Sequence, residues 1–324
     1  MDTRSLYAGG PDVSEVGFGA WAIGGSWGEV DDDESLAALE TAVRAGVTFF
    51  DTADVYGDGH SERLVGEIAA EHDVVVATKM GRREDMDPSV WTQEQFLSWL
   101  NRSRRNLGMD TIDLVQLHCL GMEPYAMEPV WEALRELQSD DVVTSFGVSV
   151  ETVDEALAAL EVDGLATIQL IANLFRMRPV DEVFDAARDA GVGLIVRVPL
   201  ASGLLTGKFD ADSTFDADDH RNFNRDGQAF DVGETFAGVP WEVGLAAVER
   251  IRPLVPEYVT MAQFALRWVL DHDAVSVVIP GARTQAQARG NAAASHLDPL
   301  APDVHAALRE VYDEMVRPHV HDRW

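Results

Sequence analysis

Cysteine is all but missing: the 324 residues include one, Cys119. No internal disulfide can form, which fits a reducing cytoplasm. Long apolar runs are missing too. No stretch reaches the roughly 20 residues that cross a bilayer as a helix. Met1 to Pro11 shows no basic segment followed by an apolar one, so neither a membrane anchor nor a secretory signal is expected. Positive charge is scarce. Lysine occurs only at Lys79 and Lys208, and 25 Lys and Arg together face 56 Asp and Glu, for a formal net charge of −31. Such a field repels nucleic-acid phosphates and excludes DNA or RNA as a partner. The acid is spread along the whole chain, so it does not mark a disordered tail. It predicts adaptation to high salt, as in a halophile, where screening offsets self-repulsion.

What is abundant is apolar residue, 46% of the chain, enough for one large core. β-Branched runs read as strands at Val16–Gly19, Val47–Phe50, Val74–Thr78, Asp113–Leu117, Thr144–Ser149, Thr167–Ile171, Gly193–Val198 and Val275–Ile279. Continuous runs of this kind suit a parallel sheet buried on both faces. Helical periodicity falls between them at Glu34–Ala45, Ser61–Ala70, Gln93–Leu107, Pro129–Leu137, Val153–Leu160, Val180–Asp189, Met261–Leu270 and Gln285–Ala294. Asp33, Thr92, Thr152 and Thr260 stand at helix starts, and Gly46, Gly108 and Gly191 at stops. Some eight strand–helix units without a linker predict the α/β class and a closed (β/α)8 TIM barrel, read as a single domain over 1–324. Arg4–Tyr7 and Asp12–Ser14 predict an N-terminal hairpin closing the barrel's bottom. Leu200–Pro240, rich in Asp, Asn and Gly, predicts a long loop after the seventh strand, over the face where barrel enzymes carry their sites. Pro302–Trp324 predicts a helix with an extended, flexible end bearing His319 and His321.

Three strand ends bring ionisable groups to that face: Asp51 and the following Tyr56, Lys79, and His118. A lone lysine is ordinarily surface decoration, but surface lysine is almost absent here, and Lys79 ends the apolar run Val74–Thr78. The set fits carbonyl reduction. A forming alkoxide needs a proton, and Tyr56 can give it. A free phenol titrates near about 10, and the Lys79 ammonium, held and kept charged by Asp51, is expected to lower that value. His118 can orient and polarise the carbonyl.

On these residues the chain resembles the aldo-keto reductase superfamily, in its microbial branch, across nearly its whole length. The segment Phe50-Asp51-Thr52-Ala53-Asp54-Val55-Tyr56-Gly57 carries the resemblance most specifically. Gly17–Trp21, Phe146–Ser149, Pro199–Lys208 and Ile279–Arg283 extend it. The resemblance implies Asp51, Tyr56, Lys79 and His118 as the catalytic four, and an NAD(P)H lying across the barrel mouth without a Rossmann domain. It maps cofactor contacts to Gly19 and Trp21, to Ser149 and Gln169 at the nicotinamide amide, and to Pro199, Leu200, Ser202, Gly203, Leu205 and Lys208 after the seventh strand. Gly281, Arg283, Gln287 and Asn291 follow at the last barrel helix. Arg283 suits a 2′-phosphate and so favours NADP(H) over NAD(H). Three positions depart from the family pattern. Val150 stands for Asn, Gly290 for Glu, and Arg197 for an aromatic that stacks on nicotinamide; Arg197 must then be offset or paired.

Substrate contacts are expected from Trp27, Tyr56 and His118, with Trp91 or Leu120 as additions, an aromatic wall suited to aldehydes, ketones or sugar faces. The partner is thus a small carbonyl or alcohol, the protein a monomer or small homo-oligomer, and no metal is called for. Two rivals remain. One is a cofactor-binding regulator like the potassium-channel β subunits of the superfamily. The other is a hydrolase or lyase using Lys79 as a Schiff-base amine. Two further motifs are set aside. Gly17–Ala22 lacks the helix and spacing of a dinucleotide fingerprint. The run from Asp210 to Asp219 lacks the glycine of a calcium loop and reads as a solvated acidic face.

Overall fold

The computed structural model describes residues 1–25, 30–83 and 87–324. The chain opens with an antiparallel hairpin, β1 (Thr3–Ser5) and β2 (Asp12–Ser14). Eight parallel strands follow, each neighbouring the next in sequence order: β3 (Phe18–Gly19), β4 (Phe49–Asp51), β5 (Val75–Met80), β6 (Ile112–His118), β7 (Val143–Ser149), β8 (Thr167–Ile171), β9 (Gly193–Arg197) and β10 (Val275–Val278). Parallel bridges Val16–Val278 and Gly19–Gly281 join last to first. Gly17 N–H donates to Val278 O at 2.8 Å and Gly19 N–H to Pro280 O at 3.1 Å. The sheet therefore closes into the expected (β/α)8 barrel.

The helices α1 (Asp32–Arg44), α2 (His60–Glu71), α3 (Gln93–Leu107), α4 (Glu128–Ser139), α5 (Val153–Ala159), α6 (Arg178–Glu182) and α7 (Phe184–Ala190) follow their strands in turn. The long excursion after β9 holds a 3-10 turn at Ala201–Thr206, α8 (His220–Phe223) and further turns at Val232–Glu234 and Phe236–Gly238. Then come α9 (Trp241–Ile251), α10 (Met261–Leu270), α11 (Gln285–Ala292), α12 (Pro302–Val311) and α13 (Arg317–Val320). Thr92, Thr152 and Thr260 each accept a hydrogen bond from the third residue of their helix, and the last two complete capping boxes with Glu155 and Gln263.

Four expectations need correction. The first helix is capped by Asp31, whose carboxylate accepts from Glu34 N–H at 2.9 Å, not by Asp33. The stretch Val180–Asp189 is two helices, broken at Val183. The tail does not end extended: α12 runs on through a π turn at Tyr312–Val316 into α13, and His321 is buried with its Nδ1 2.9 Å from the Tyr312 hydroxyl. Trp324 then docks on the excursion. Its Nε1 donates to Asp231 at 2.9 Å, the Arg176 guanidinium lies 3.8 Å from its ring centroid, and a Cβ at Gly233 or Gly238 would come within 2.9 or 2.4 Å of the ring. Finally, the acidic run is not solvated throughout. Asp219 is buried, caps α8 and pairs with Arg221 at 2.5 Å, while Asp210, Asp212, Asp216 and Asp218 are exposed.

Side-chain alternation along the strands places the chemistry. Phe49, Ala77, Leu114, Ile195 and Val277 cluster with Leu6 and Val13 of the hairpin, an apolar layer separate from the main core. Their neighbours Phe50, Val76, Val115, Val196 and Val278 belong instead to the main core shared with the helices. Residues two apart face the same way. The inward set thus continues upward from Phe49 to Asp51, from Ala77 to Lys79, from Leu114 to Gln116 and His118, and from Ile195 to Arg197. The hairpin plugs the bottom so tightly that a Cβ at Gly193 would lie 1.6 Å from Leu6 O.

Candidate active site

The inward residues build a polar layer above the apolar plug. Lys79 is 1% exposed, and its Nζ donates to Asp51 Oδ1 at 2.5 Å and to Thr52 O at 2.8 Å. The other Asp51 oxygen accepts from Gln169 Nε2 at 2.8 Å and Gln116 Nε2 at 3.1 Å. Ser149 Oγ reaches Gln169 Oε1 at 3.4 Å. Burial draws the Lys79 ammonium below its ordinary value, and the Asp51 carboxylate opposes that shift. With both groups enclosed, both Asp51 oxygens hydrogen-bonded and Lys79 held by two acceptors, the pair is fixed in place.

Tyr56 stands over this layer. Its ring centroid lies 5.2 Å from Lys79 Nζ, the Trp21 ring stacks on it at 6.2 Å, and His118 meets it edge-on at 6.0 Å. The expected lowering of the phenol is not found. Desolvation pushes Tyr56 well above its ordinary value, the carboxylates of Asp51 and Glu234 add to this, and Arg197 and Arg82 oppose it. The main reason is enclosure, to which the Asp51 carboxylate, held on Lys79 at hydrogen-bond distance, adds. Burial, aided by Arg82, Lys79 and Arg197, holds the His118 imidazole well below its ordinary value, so it is neutral at pH 7. Its Nδ1 is buried without a hydrogen-bond partner among the described residues.

Tyr56, Asp51 and His118 line one end of a cleft of ≈1200 Å³. The structure brings to its walls the predicted Gly19, Trp21, Ser149, Gln169, Arg197, Pro199, Leu200, Ser202, Gly203, Lys208, Gly281, Arg283, Gln287 and Asn291. Leu205 is the exception: it is fully buried in the main core, because the Ala201–Thr206 turn points its side chain inward. Trp91 and Leu120 are also absorbed into the main core and do not line the cleft, and Trp27 lies outside the described residues. The lip after β9 holds three non-glycine residues in left-handed conformation, Val198 (φ 51°), Ala201 (48°) and Ser202 (53°). For a β-branched residue such as Val198 this is strained, a condition that collects at functional sites. At the far end, Thr284 caps α11 and Gln287 Oε1 accepts the Arg283 N–H at 2.7 Å, while Asn291 Nδ2 donates to Gly281 O at 3.1 Å. Gly290 lines the cleft beside them.

Sequence reasoning named Arg197 but missed the three residues that join it in a quartet of charges in the same cleft. Arg82, three residues past Lys79, reaches Glu151 at 3.0 Å and Glu234 at 3.3 Å. Arg197 reaches the same two carboxylates at 2.9 and 3.6 Å, and it also donates to Val150 O at 3.0 Å. The aromatic position taken by Arg197 is thus a paired guanidinium, as required. Burial pushes Glu151 up, but Arg197, a hydrogen bond from Glu234 and Arg82 outweigh it and hold its carboxyl low; burial and the Glu151 charge push Glu234 up to about 7. Cys119 lies against the quartet and is pushed up to about 12 by burial, a protonated and unreactive thiol. The one available signal was position: Arg82 and Glu151 each lie two residues past a strand end, and Glu234 lies in the excursion assigned to the active face.

Three comparisons bear on this site. The model of the aldo/keto reductase family matches residues 15–313. Aldo-keto reductase YhdN of Bacillus subtilis is 30% identical over 304 residues, covering 89% of this chain and 86% of that protein. A probable voltage-gated potassium channel subunit beta of Oryza sativa is 30% identical over 323 residues, 93% of each. Among solved structures, the glycerol dehydrogenase AKR11B4 from Gluconobacter oxydans superposes with a TM-score of 0.79 at 30% identity, covering 99% of this chain and 96% of that one. No helix of the described residues is long and apolar enough to cross a membrane.

Proposed function

This chain belongs to the aldo/keto reductase family, and from that premise we propose that it moves a hydride between NADP(H) and the carbonyl of an aldehyde, ketone or sugar, with Tyr56 as the proton donor. The donor set of the cleft fits the dinucleotide. Ser149 Oγ and the Gln169 amide stand at one end, beside Asp51 and His118, where an amide-bearing ring can be read. Lys208, Arg283 and the N-terminus of α11 stand at the other, where phosphates are favoured. The bound nicotinamide supplies or accepts the hydride.

This chain's residues do the rest. Enclosure keeps the Tyr56 phenol protonated across the neutral range, so it holds its proton until a substrate oxygen takes it. As that proton leaves, the Lys79 ammonium 5.2 Å from the ring centroid steadies the phenolate, and Asp51 keeps Lys79 from turning away. Neutral His118 hydrogen-bonds the carbonyl without competing for the proton. The observation that carries this reading is the meeting of Tyr56 and His118 at 6.0 Å above a buried Lys79–Asp51 pair. The same burial argues against a Schiff base on Lys79, whose amine lies behind the cleft wall instead of in it.

The test is nicotinamide absorbance with purified protein and a panel of aldehydes, ketones and aldoses. Turnover by the wild type is expected. Tyr56→Phe should lower kcat by about two to four orders of magnitude, the usual range for a lost general acid, with NADPH affinity nearly unchanged. Near-normal turnover in that variant removes Tyr56 from the role. NADPH binding without turnover on the whole panel favours the regulatory reading that the rice relative represents.

A further inference from the structure

Two of the residues that the sequence suggests beside Tyr56 and His118 do not reach the cleft. Trp91 and Leu120 are buried in the core, and Arg82, Glu151, Arg197 and Glu234 line the cleft together with Trp21 and Phe230. The four line the same cleft as Tyr56 and His118, and Arg197 Nη2 lies 3.7 Å from the sulfur of Cys119, the residue after His118. A substrate held by Tyr56 and His118 therefore sits within reach of the quartet. Side-chain exposure is 23% for Arg82, 13% for Glu151 and 8% for Glu234, so Arg82 is the most open of the three.

We propose that Arg82, Glu151 and Glu234 form a hydroxyl-reading subsite, and that the substrate is a small, uncharged carbonyl compound bearing a hydroxyl on the carbon next to its carbonyl. The proposal rests on the oxidoreductase reading above. Its logic is pairing. Both guanidiniums are already paired with Glu151 and Glu234, so an incoming carboxylate or phosphate finds no unpaired cation to bind. An alkyl group would strip water from these polar groups and return nothing. A hydroxyl does what water does there: it donates to a carboxylate oxygen and accepts from Arg82. Sites built to hydrogen-bond a substrate hydroxyl reject the analogue without it strongly, because the buried polar groups are left unpaired. The excursion delivers Glu234 to the cleft: Ser202 Oγ donates to Glu234 O at 3.1 Å and accepts from Phe236 N–H at 3.1 Å.

The experiment uses the full chain with NADPH and isosteric pairs: glycolaldehyde against propanal, and hydroxyacetone against butanone, with glyoxylate and pyruvate as anionic controls. The ketone pair guards against differences in aldehyde hydration. Wild type is expected to show kcat/KM at least about tenfold higher for the hydroxylated member of each pair, and lower values for both acids. In Glu234→Gln and Arg82→Met that ratio should fall toward one, and Arg82→Lys should restore part of it. NADPH dissociation constants and Tm are measured alongside. Equal loss on both members of a pair means a purely structural role and overturns the proposal, as do a wild-type preference for propanal, butanone or the acids, or variants that keep the wild-type ratio. Those outcomes leave the oxidoreductase reading standing. Absence of turnover on every carbonyl overturns both.

Discussion

Replacing Asp54 with Asn should stabilise the protein at neutral pH and leave it almost unchanged near pH 5. Asp54 is 1% exposed, and neither of its carboxylate oxygens has a hydrogen-bond partner among the described residues. The backbone around it is well tied: its N–H donates to Lys79 O at 3.2 Å, and its carbonyl accepts from Arg83 at 3.1 Å and Arg102 at 3.4 Å. Burial, with the Glu62 charge second, pushes its carboxyl from 3.8 to about 7 against the attraction of Arg83 and Arg102. Each unit is worth about 1.4 kcal/mol, so ionising Asp54 in the folded chain costs about 4 kcal/mol more than in the unfolded one. The sign follows from proton counting. Between pH 3.8 and about 7 the folded chain binds more protons here than the unfolded chain. Stability from this group is therefore full below pH 3.8, falls as pH rises through the window, and is level above it. Asn carries no charge at any pH and escapes the fall. Allowing for the amide's own unpaired hydrogens, of order 1–3 kcal/mol, the gain at pH 8 should be about 1–3 kcal/mol. Urea unfolding of wild type and Asp54→Asn at pH 5 and pH 8, in multimolar KCl, measures it; a buried group is little screened by that salt. A stability difference that is the same at both pH values would refute the reasoning.

Lys79→Met should cost about 3–5 kcal/mol by leaving the Asp51 carboxylate enclosed without its ammonium, and adding Asp51→Asn should recover much of that loss in urea unfolding. Arg283→Ala should raise the NADPH dissociation constant by about tenfold or more while changing that for NADH little, since an Arg–phosphate pair is lost only with the 2′-phosphate; fluorescence titration reads both. With a net charge of −31, folding and activity should rise from dilute buffer to multimolar KCl, and full stability in dilute buffer would count against salt adaptation.

The barrel was legible because its local signals agree. β8, α3 and α10 lie where apolar runs and their Thr caps put them, since Thr92 and Thr260 leave one geometric option each. Where several residues could serve, sequence picked wrongly: Asp31, Asp32 and Asp33 all suit an N-cap, and only the packing of α1 selects Asp31. The helix α9 gave little warning because Gly244 interrupts its pattern and no side chain caps its start at Pro240. The catalytic four were readable because strand parity turns position into direction. The quartet was not, because its members come from three barrel loops or strand ends and the excursion, 69 residues separating Arg82 from Glu151 and 152 separating it from Glu234. Nor could composition show that Tyr56 would be enclosed completely enough for desolvation to leave its phenol high.

The seat of Trp324 on Gly233 and Gly238 has a consequence for cooperativity. These two glycines bracket Glu234, so the ring at the end of the tail bears on the same few residues that carry a carboxylate into the cleft. Segments some 90 residues apart in sequence should then open and close as one unit. Amides of Asp231–Gly238 and of the α13 turn should share one hydrogen-exchange rate, and a ligand that steadies the excursion should slow exchange in the tail it never touches.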